Sequence, residues 1–471
     1  MSIATPTPPA TAPPAGGVLA RAQQTISVVA RRLADPRQVA EVAARDSNRE
    51  PIYGISTWAP VTLSNGLPGV AAFYAEAARR DPAWLSFAHR HLKAAGELLS
   101  SAPSRGLHAG PASVLAAAQG AAGANRHYRA LRRRLAARVA AEQMLRLDDA
   151  AGRARRGEIG VSWADYDVIH GVSGTLRLLL DSAADPDESA PDVDEAVERS
   201  LRHLVALAQP IHRDGYTVPG WWVPNRHQPV AEDRREFPDG DFNLGMAHGA
   251  AGPLAVLAAA VRSGREVEGQ RDAMARLAEW LIGWTLQDDD GVYWPCRVSW
   301  ADEVGPRPAS AFTRSAWCYG APGIAAALHQ AGTALGVVAW RAIAVGALHS
   351  VIAREPASWH LDGPTICHGE AGLLQIVTRV GRAEGDSALL AAAQRIVERV
   401  LQAADPDSAF VFAHLVPDSP DGWHSATGYR ALDIAGVLEG AAGVACALLD
   451  AVAPGEEPTP SRAWDRCLAL S

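Results

Sequence analysis

The sequence predicts an all-α protein, an (α/α)7 toroid of seven inner and seven outer helices that carries a small, partly β insertion. Three observations support this. Leu and Ala dominate the 471 residues, while β-branched runs and alternating apolar and polar stretches are scarce, a composition that favours helix over strand. A degenerate repeat, in which Gly or a small residue recurs three positions later and an Ala-rich apolar run follows, occurs seven times. Between successive copies there is room for one longer, more charged helix.

The copies are SNGLPGVAAF from Ser64, HAGPASVLAA from His108, IHGVSGTLRL from Ile169, AHGAAGPLAV from Ala247, CYGAPGIAAA from Cys318, CHGEAGLLQI from Cys367 and LEGAAGVACA from Leu438. Each begins a short apolar inner helix. The intervening stretches, such as Arg271 to Thr285, Trp340 to Ala353 and Asp386 to Ala403, supply the outer ones. Repeated helical hairpins stack, and seven of them close on themselves. In the second copy Ser113 stands where the later Gly belongs, which weakens that repeat.

The barrel is expected to span residues 18–453. Residues 1–17 are Pro, Ala and Thr without charge or period and read as a disordered lead-in. Residues 454–471 read as a linker, with Pro454 to Pro460 exposed, and a short tail. Pro210 to Asn243 and Gln287 to Ser310 are rich in Trp, Tyr, Val and Pro. Long stretches of this kind inside a compact domain are often functional, so the stretch within 210–310 is expected to carry a few strands and reads either as ordinary loop packing or as a wall or lid that grips a substrate.

A net charge of -8 argues against a nucleic-acid partner, because phosphate binding needs a concentrated basic surface. The basic run Arg132 to Arg134 reads as an exposed helix face. No signal peptide and no apolar run of membrane-spanning length is evident, so a soluble, cytoplasmic protein without a membrane span is expected. Five cysteines thinly spread through the chain do not form a disulfide framework and read as free thiols or metal ligands.

If outer and inner helices alternate antiparallel, all seven Gly-rich junctions gather at one end, and the site belongs there. Seven helix N-termini make that end electropositive, favourable to a thiolate or an enolate. Cys318, Cys367 and His368 begin neighbouring inner helices five and six. Sulfur and imidazole donors suit Zn2+, and three protein ligands leave a fourth position open, the arrangement of a catalytic site. Cys296, Cys446 and Cys467 lack a histidine neighbour at a junction and read as packed thiols. His248 begins inner helix four, and Asp167 precedes inner helix three, so the two meet as a carboxylate and imidazole pair suited to proton transfer near pH 7. His170, also at a junction, ranks below them as a ligand. Arg314 leads into the Cys318 junction and reads as a group that either stabilises negative charge on an enolate or ties down a carboxylate.

The ordered set NLGMAHGAAG, RSAWCYGAPG, ICHGEAG and LEGAAG, spread over residues 45–452, resembles the lanthionine synthetase C-like proteins, the cyclases of lanthipeptide biosynthesis and their relatives. The resemblance implies zinc on Cys318, Cys367 and His368, with His248, Asp167, Arg314 and Tyr319 at the catalytic positions. It also implies the reaction: a peptide cysteine thiolate adds to dehydroalanine or dehydrobutyrine, and the enolate is protonated to leave a lanthionine or methyllanthionine thioether. The absence of a dehydratase or kinase-like region leads us to expect a free-standing cyclase, with a separate dehydratase and a dehydrated, leader-bearing precursor peptide as partners. Two other readings keep a metal and a thiol: a zinc-dependent thiol alkyltransferase on an α/α barrel, and a non-cyclising, glutathione-type thiol-binding protein.

Overall fold

The computed structural model describes residues 15–123, 126–418, 428–453 and 463–471. Seven inner helices are found among them: Leu67–Ala77, Pro111–Ala121, Val172–Ala184, Ala251–Arg262, Ala321–Leu335, Glu370–Glu384 and Ala441–Ala451. The seven outer helices are Ala15–Arg32, Leu85–Leu98, Arg129–Arg155, Pro191–Leu207, Gln270–Gly283, Val338–Ala353 and Ser387–Gln402. The first inner helix packs against both the second and the seventh, which closes the ring. The chain thus opens on an outer helix and completes the circle on an inner one. Residues 1–14 of the expected lead-in lie outside the described residues, and 15–17 already belong to the first outer helix.

Burial separates the two rings. Inner helices are apolar on all sides, as in Ala251–Arg262, where every residue from Ala251 to Ala258 is buried, and such a helix can only sit in a core. Outer helices bury one stripe. In Pro191–Leu207 the buried positions are Val193, Ala196, Val197, Ser200, Leu201, Leu204 and Leu207, the three-and-four spacing of an amphipathic helix.

The second Gly of each repeat has a steric cause. A Cβ on Gly174 would meet Val168 O at 1.8 Å, one on Gly372 would meet Ile366 O at 2.1 Å, and one on Gly443 would meet Val437 O at 1.8 Å. In each case the carbonyl lies six residues back, in the turn that delivers the chain into the inner helix. Only a residue without Cβ permits that approach. Ser113, the exception, turns its hydroxyl to use: its one proton is shared between Gly110 O at 2.7 Å and Val61 O at 3.1 Å.

These turns are joined in a circle. Leu63 N–H donates to His108 O, His108 to Ile169, Val168 to Ala247, Ala247 to Cys318, Cys318 to Cys367, Cys367 to Leu438 and Leu438 to Ser64, at 2.9 to 3.5 Å. Each junction is therefore hydrogen-bonded to the next all the way round.

Two expectations need correction. Residues 463–471 are not a tail but the plug of the bore. Trp464, Cys467 and Leu468 are buried. Partners come from around the ring: Arg466 donates to Ala116 O, Arg177 to Ser471 O, Trp317 to Leu468 O, Gln330 to Ala469 O, and Gln375 to Asp465. The inner helices, with their small Ala and Gly side chains, leave an axial space that only added chain can fill. The linker residues 454–462 lie outside the described residues. In the basic run, Arg133 and Arg134 are exposed, but Arg132 is 1% exposed. It is buried against Asp185 and Glu188 because the following helix hairpin covers it.

The stretch 210–310 contains the expected strands: Ile211–Arg213 pairs with Tyr216–Val218, Leu286–Asp288 with Gly291–Tyr293, and Asp241–Asn243 with Arg297–Ser299. Its aromatic residues pack inward, with the Arg213 guanidinium held between Trp222 and Trp300 at 4.2 and 4.4 Å. A further hairpin, His414–Pro417 with Tyr429–Leu432, was not anticipated.

Leu468→Ala should cost about 2 to 5 kcal/mol, the range for truncating a fully buried Leu, measured by urea unfolding. His108 tests the ring from another side. Its Nε2 donates to Cys467 O at 2.9 Å and its Nδ1 meets Ser64 Oγ at 3.2 Å, and burial pulls its pKa down to about 4. The unfolded chain takes up a proton on this ring below its ordinary pKa of about 6.5, while the folded chain does so only near 4. Stability therefore falls as pH drops through that window, by up to about 1.4 kcal/mol per pH unit for this one group. His108→Gln should flatten that slope between pH 6.5 and 4.

Candidate metal centre and catalytic cleft

The junction end of the toroid opens into a cleft of about 630 Å3. In each copy the residue before the first Gly is set at the mouth of its inner helix. Six of these, Asn65, His170, His248, Tyr319, His368 and Glu439, line the cleft, and the seventh is the small Ala109. The signal for this lay in the repeat register itself, and it is how Glu439, missed on residue chemistry, could have been found.

Cys318, Cys367 and His368 present two sulfurs and one ring nitrogen that all lie within 4.8 Å of one another. Cys318 N–H donates to Cys367 O at 3.2 Å, so the circle of junction bonds sets the two cysteines side by side. Donor atoms around a tetrahedral ion at ~2.3 Å stand ~3.8 Å apart, so this soft triad needs little contraction to accept zinc. The donor set fits the metal, and one side faces the cleft. A hydrogen bond from Cys367, supported by His368, draws the Cys318 thiol well below its usual range. Its counterpart, the hydrogen bond to Cys318 together with burial, pushes Cys367 well above it.

Gly320 shapes this corner. Its φ is +88°, and a Cβ there would meet Arg314 O at 1.6 Å. The chain from Arg314 to Gly320 is thereby folded back, with Ser315 bridging Gly320, and this brings Arg314 beside Cys318. Arg314 is 4% exposed and paired with Asp362. The Tyr319 hydroxyl accepts from Asn243 Nδ2 at 3.1 Å, and burial holds its pKa above the ordinary phenol value, so it stays a proton donor.

Across the cleft, Asp167 is fully buried and His248 Nδ1 lies 2.6 Å from its Oδ2. Oδ1 of the same carboxylate accepts from His170 N at 2.7 Å, so Asp167 both ties its own junction and holds the imidazole. Trp163 stacks on the His248 ring at 4.2 Å, and Tyr166 donates to His248 O at 2.9 Å. The imidazole plane is thus fixed, and Nε2 is the nitrogen left for a substrate. His170 lies 6.2 Å from His248, ring to ring, on the side away from the sulfur donors. Its pKa is lowered by burial.

The walls come from unexpected segments. Of residues 210–310 only Ala247 and His248 reach the cleft, both at a junction. Residues within 50–65 and the strand His414–Pro417 form the sides instead. His414 packs 5.3 Å from His368, ring to ring, and is kept neutral by burial, with its pKa pulled to about 4. All five cysteines are free, and Cys446 and Cys467 are buried in the core as packed thiols. Among the described residues no helix is long and apolar enough to cross a membrane.

One cleft thus combines a soft three-donor group that could hold a metal, an imidazole held by a buried carboxylate, a phenol and a guanidinium. That set can deprotonate a thiol, stabilise a developing oxyanion and deliver a proton. The family profile described as "Lanthionine synthetase C-like protein" matches residues 57–468. The nisin biosynthesis protein NisC of Lactococcus lactis subsp. lactis is 29% identical over 215 residues, 45% of this chain and 48% of that protein, so the match spans about half of the relative's length. The solved structure of nisin cyclase superposes with a TM-score of 0.70 at 20% identity, covering 96% of this chain and 98% of that one, a likeness of fold. With a family match over most of its length, the chain belongs to the lanthionine synthetase C-like family.

Proposed function

We propose that this protein is a zinc-dependent lanthipeptide cyclase, acting on a dehydrated precursor peptide that a separate dehydratase supplies. The observation that carries the reading is that the Cys318, Cys367 and His368 donors and the Asp167–His248 pair open onto one cleft. Zinc held by the triad would supply the Lewis acidity that keeps an incoming peptide thiol deprotonated near neutral pH. The new bond joins that sulfur to Cβ of dehydroalanine or dehydrobutyrine, and the alkene electron pair moves onto the carbonyl oxygen. Arg314 and the Tyr319 phenol stabilise that oxygen. His248 delivers a proton from Nε2 to Cα, with Asp167 stabilising the imidazolium and fixing its tautomer. The thiol proton is lost and an equivalent one returned, so mass is conserved. An alkyltransferase would instead add mass, and a thiol-binding protein would leave the thiol count unchanged.

Two measurements test the assignments. Zinc content should be one per chain in the wild type and in Cys446→Ala, and should be lost in Cys367→Ala. Equal zinc in all three would remove the triad. His248→Asn should keep its zinc yet lower kcat for ring formation by about 10²- to 10⁴-fold, the span for a general acid, followed as loss of free thiol at constant mass in a dehydrated Cys peptide. Wild-type turnover in that variant would exclude His248 from the proton transfer.

A further inference from the structure

Asp362 has no place in the chemistry above, yet it stands between two of its parts. Its side chain is 3% exposed, and a carboxylate so buried must be paired. Oδ2 pairs with the Arg314 guanidinium and lies 3.9 Å from His368 Nε2. Oδ1 accepts from the Tyr429 hydroxyl at 2.9 Å. The backbone fixes the carboxylate: Asp362 N–H donates to His368 O at 2.9 Å, and Glu370 N–H to Gly363 O at 2.9 Å. The segment 362–369, which bears Cys367 and His368, is therefore a loop closed at its own base. Arg314 is held as firmly by the fold-back at Gly320.

We propose that Asp362 is a positioning residue that clamps the loop bearing Cys318 to the loop bearing Cys367 and His368. Through Tyr429 it also ties both loops to the hairpin forming the cleft wall. The assignment rests on the cyclase reading for its kinetic consequence, but not for its effect on the metal site. A carboxylate held 3.9 Å from a ligand imidazole bears on that ring's orientation through its charge, and losing a carboxylate partner of a metal-ligating histidine typically weakens metal affinity 10- to 100-fold. The same carboxylate holds the guanidinium in the plane from which it meets the developing oxyanion. It acts through Arg314 and His368.

The test compares wild type, Asp362→Asn, Arg314→Gln, the double variant and Tyr429→Phe. Zinc affinity is measured by competition with a chromophoric chelator, and the Co2+-substituted proteins are examined by absorption spectroscopy. Asp362→Asn should bind zinc about 10- to 100-fold more weakly and shift the Co2+ bands. At saturating zinc its kcat on a dehydrated Cys peptide should fall while KM stays within twofold, and adding it to Arg314→Gln should lower kcat little further, as expected for residues acting as one unit. Tyr429→Phe leaves the carboxylate paired with Arg314, so it is informative even if Asp362→Asn does not fold. It should shift the Co2+ bands and lower kcat several-fold. Wild-type zinc affinity, spectrum and kcat in Asp362→Asn, or in Tyr429→Phe if only that variant folds, would overturn the clamp. A wild type that binds zinc but consumes no thiol would instead sink the cyclase reading, leaving zinc affinity and the Co2+ spectrum to judge Asp362.

Discussion

The structure depends on a closed circle of backbone hydrogen bonds, each from one Gly-rich junction to the next. Each such bond contributes only about 1 kcal/mol net, but a buried N–H or C=O left without one costs more. The circle therefore works as a constraint on register. If one junction slipped by a residue, its amide and its neighbour's carbonyl would both lose their partners. That is why the junctions resemble one another far more than the outer helices do. It is also why the second Gly recurs, since a Cβ there would push the turn away from the inner helix it feeds.

The same circle arranges the chemistry. Cys318 and Cys367 exchange an amide-to-carbonyl bond, and so do Val168 and Ala247, the chain neighbours of Asp167 and His248. Side chains 49 residues apart, as in Cys318 and Cys367, or 81 apart, as in Asp167 and His248, meet because their backbones are hydrogen-bonded in adjacent repeats. The site stands on element termini that the core holds rigid, which suits a metal triad whose donors must converge to within tenths of an ångström. Inner-helix N-termini face it, adding a field that favours the anionic sulfur.

This explains how much could be read from the amino acids alone. The repeat carried the toroid, the end at which the site lies, and the placement of Cys318, Cys367, His368, His248 and Asp167. Whatever departs from the repeat was hidden. Asp362 lies five residues before Cys367 in an irregular loop, and its partners Arg314 and Tyr429 are distant in sequence. Trp464 and Leu468 follow a Pro-rich stretch and form only a single turn of 3-10 helix, too short to show a period, so their burial follows solely from the axial space that the ring of small inner helices leaves. Arg132 was misread for a related reason: a basic run looks solvated until the acidic partners that cover it, Asp185 and Glu188, are known.

The plug also decides how material can pass through the molecule. A ring of fourteen helices could be a tube, but with Trp464 to Leu470 packed along its axis this one is a cup, open where the junctions meet and stoppered below. Any chain that reaches the sulfur donors must back out past the same rim. In the proposed reaction a peptide would not be threaded through to the far side, so several ring closures on one peptide would be separate visits rather than steps of a continuous feed.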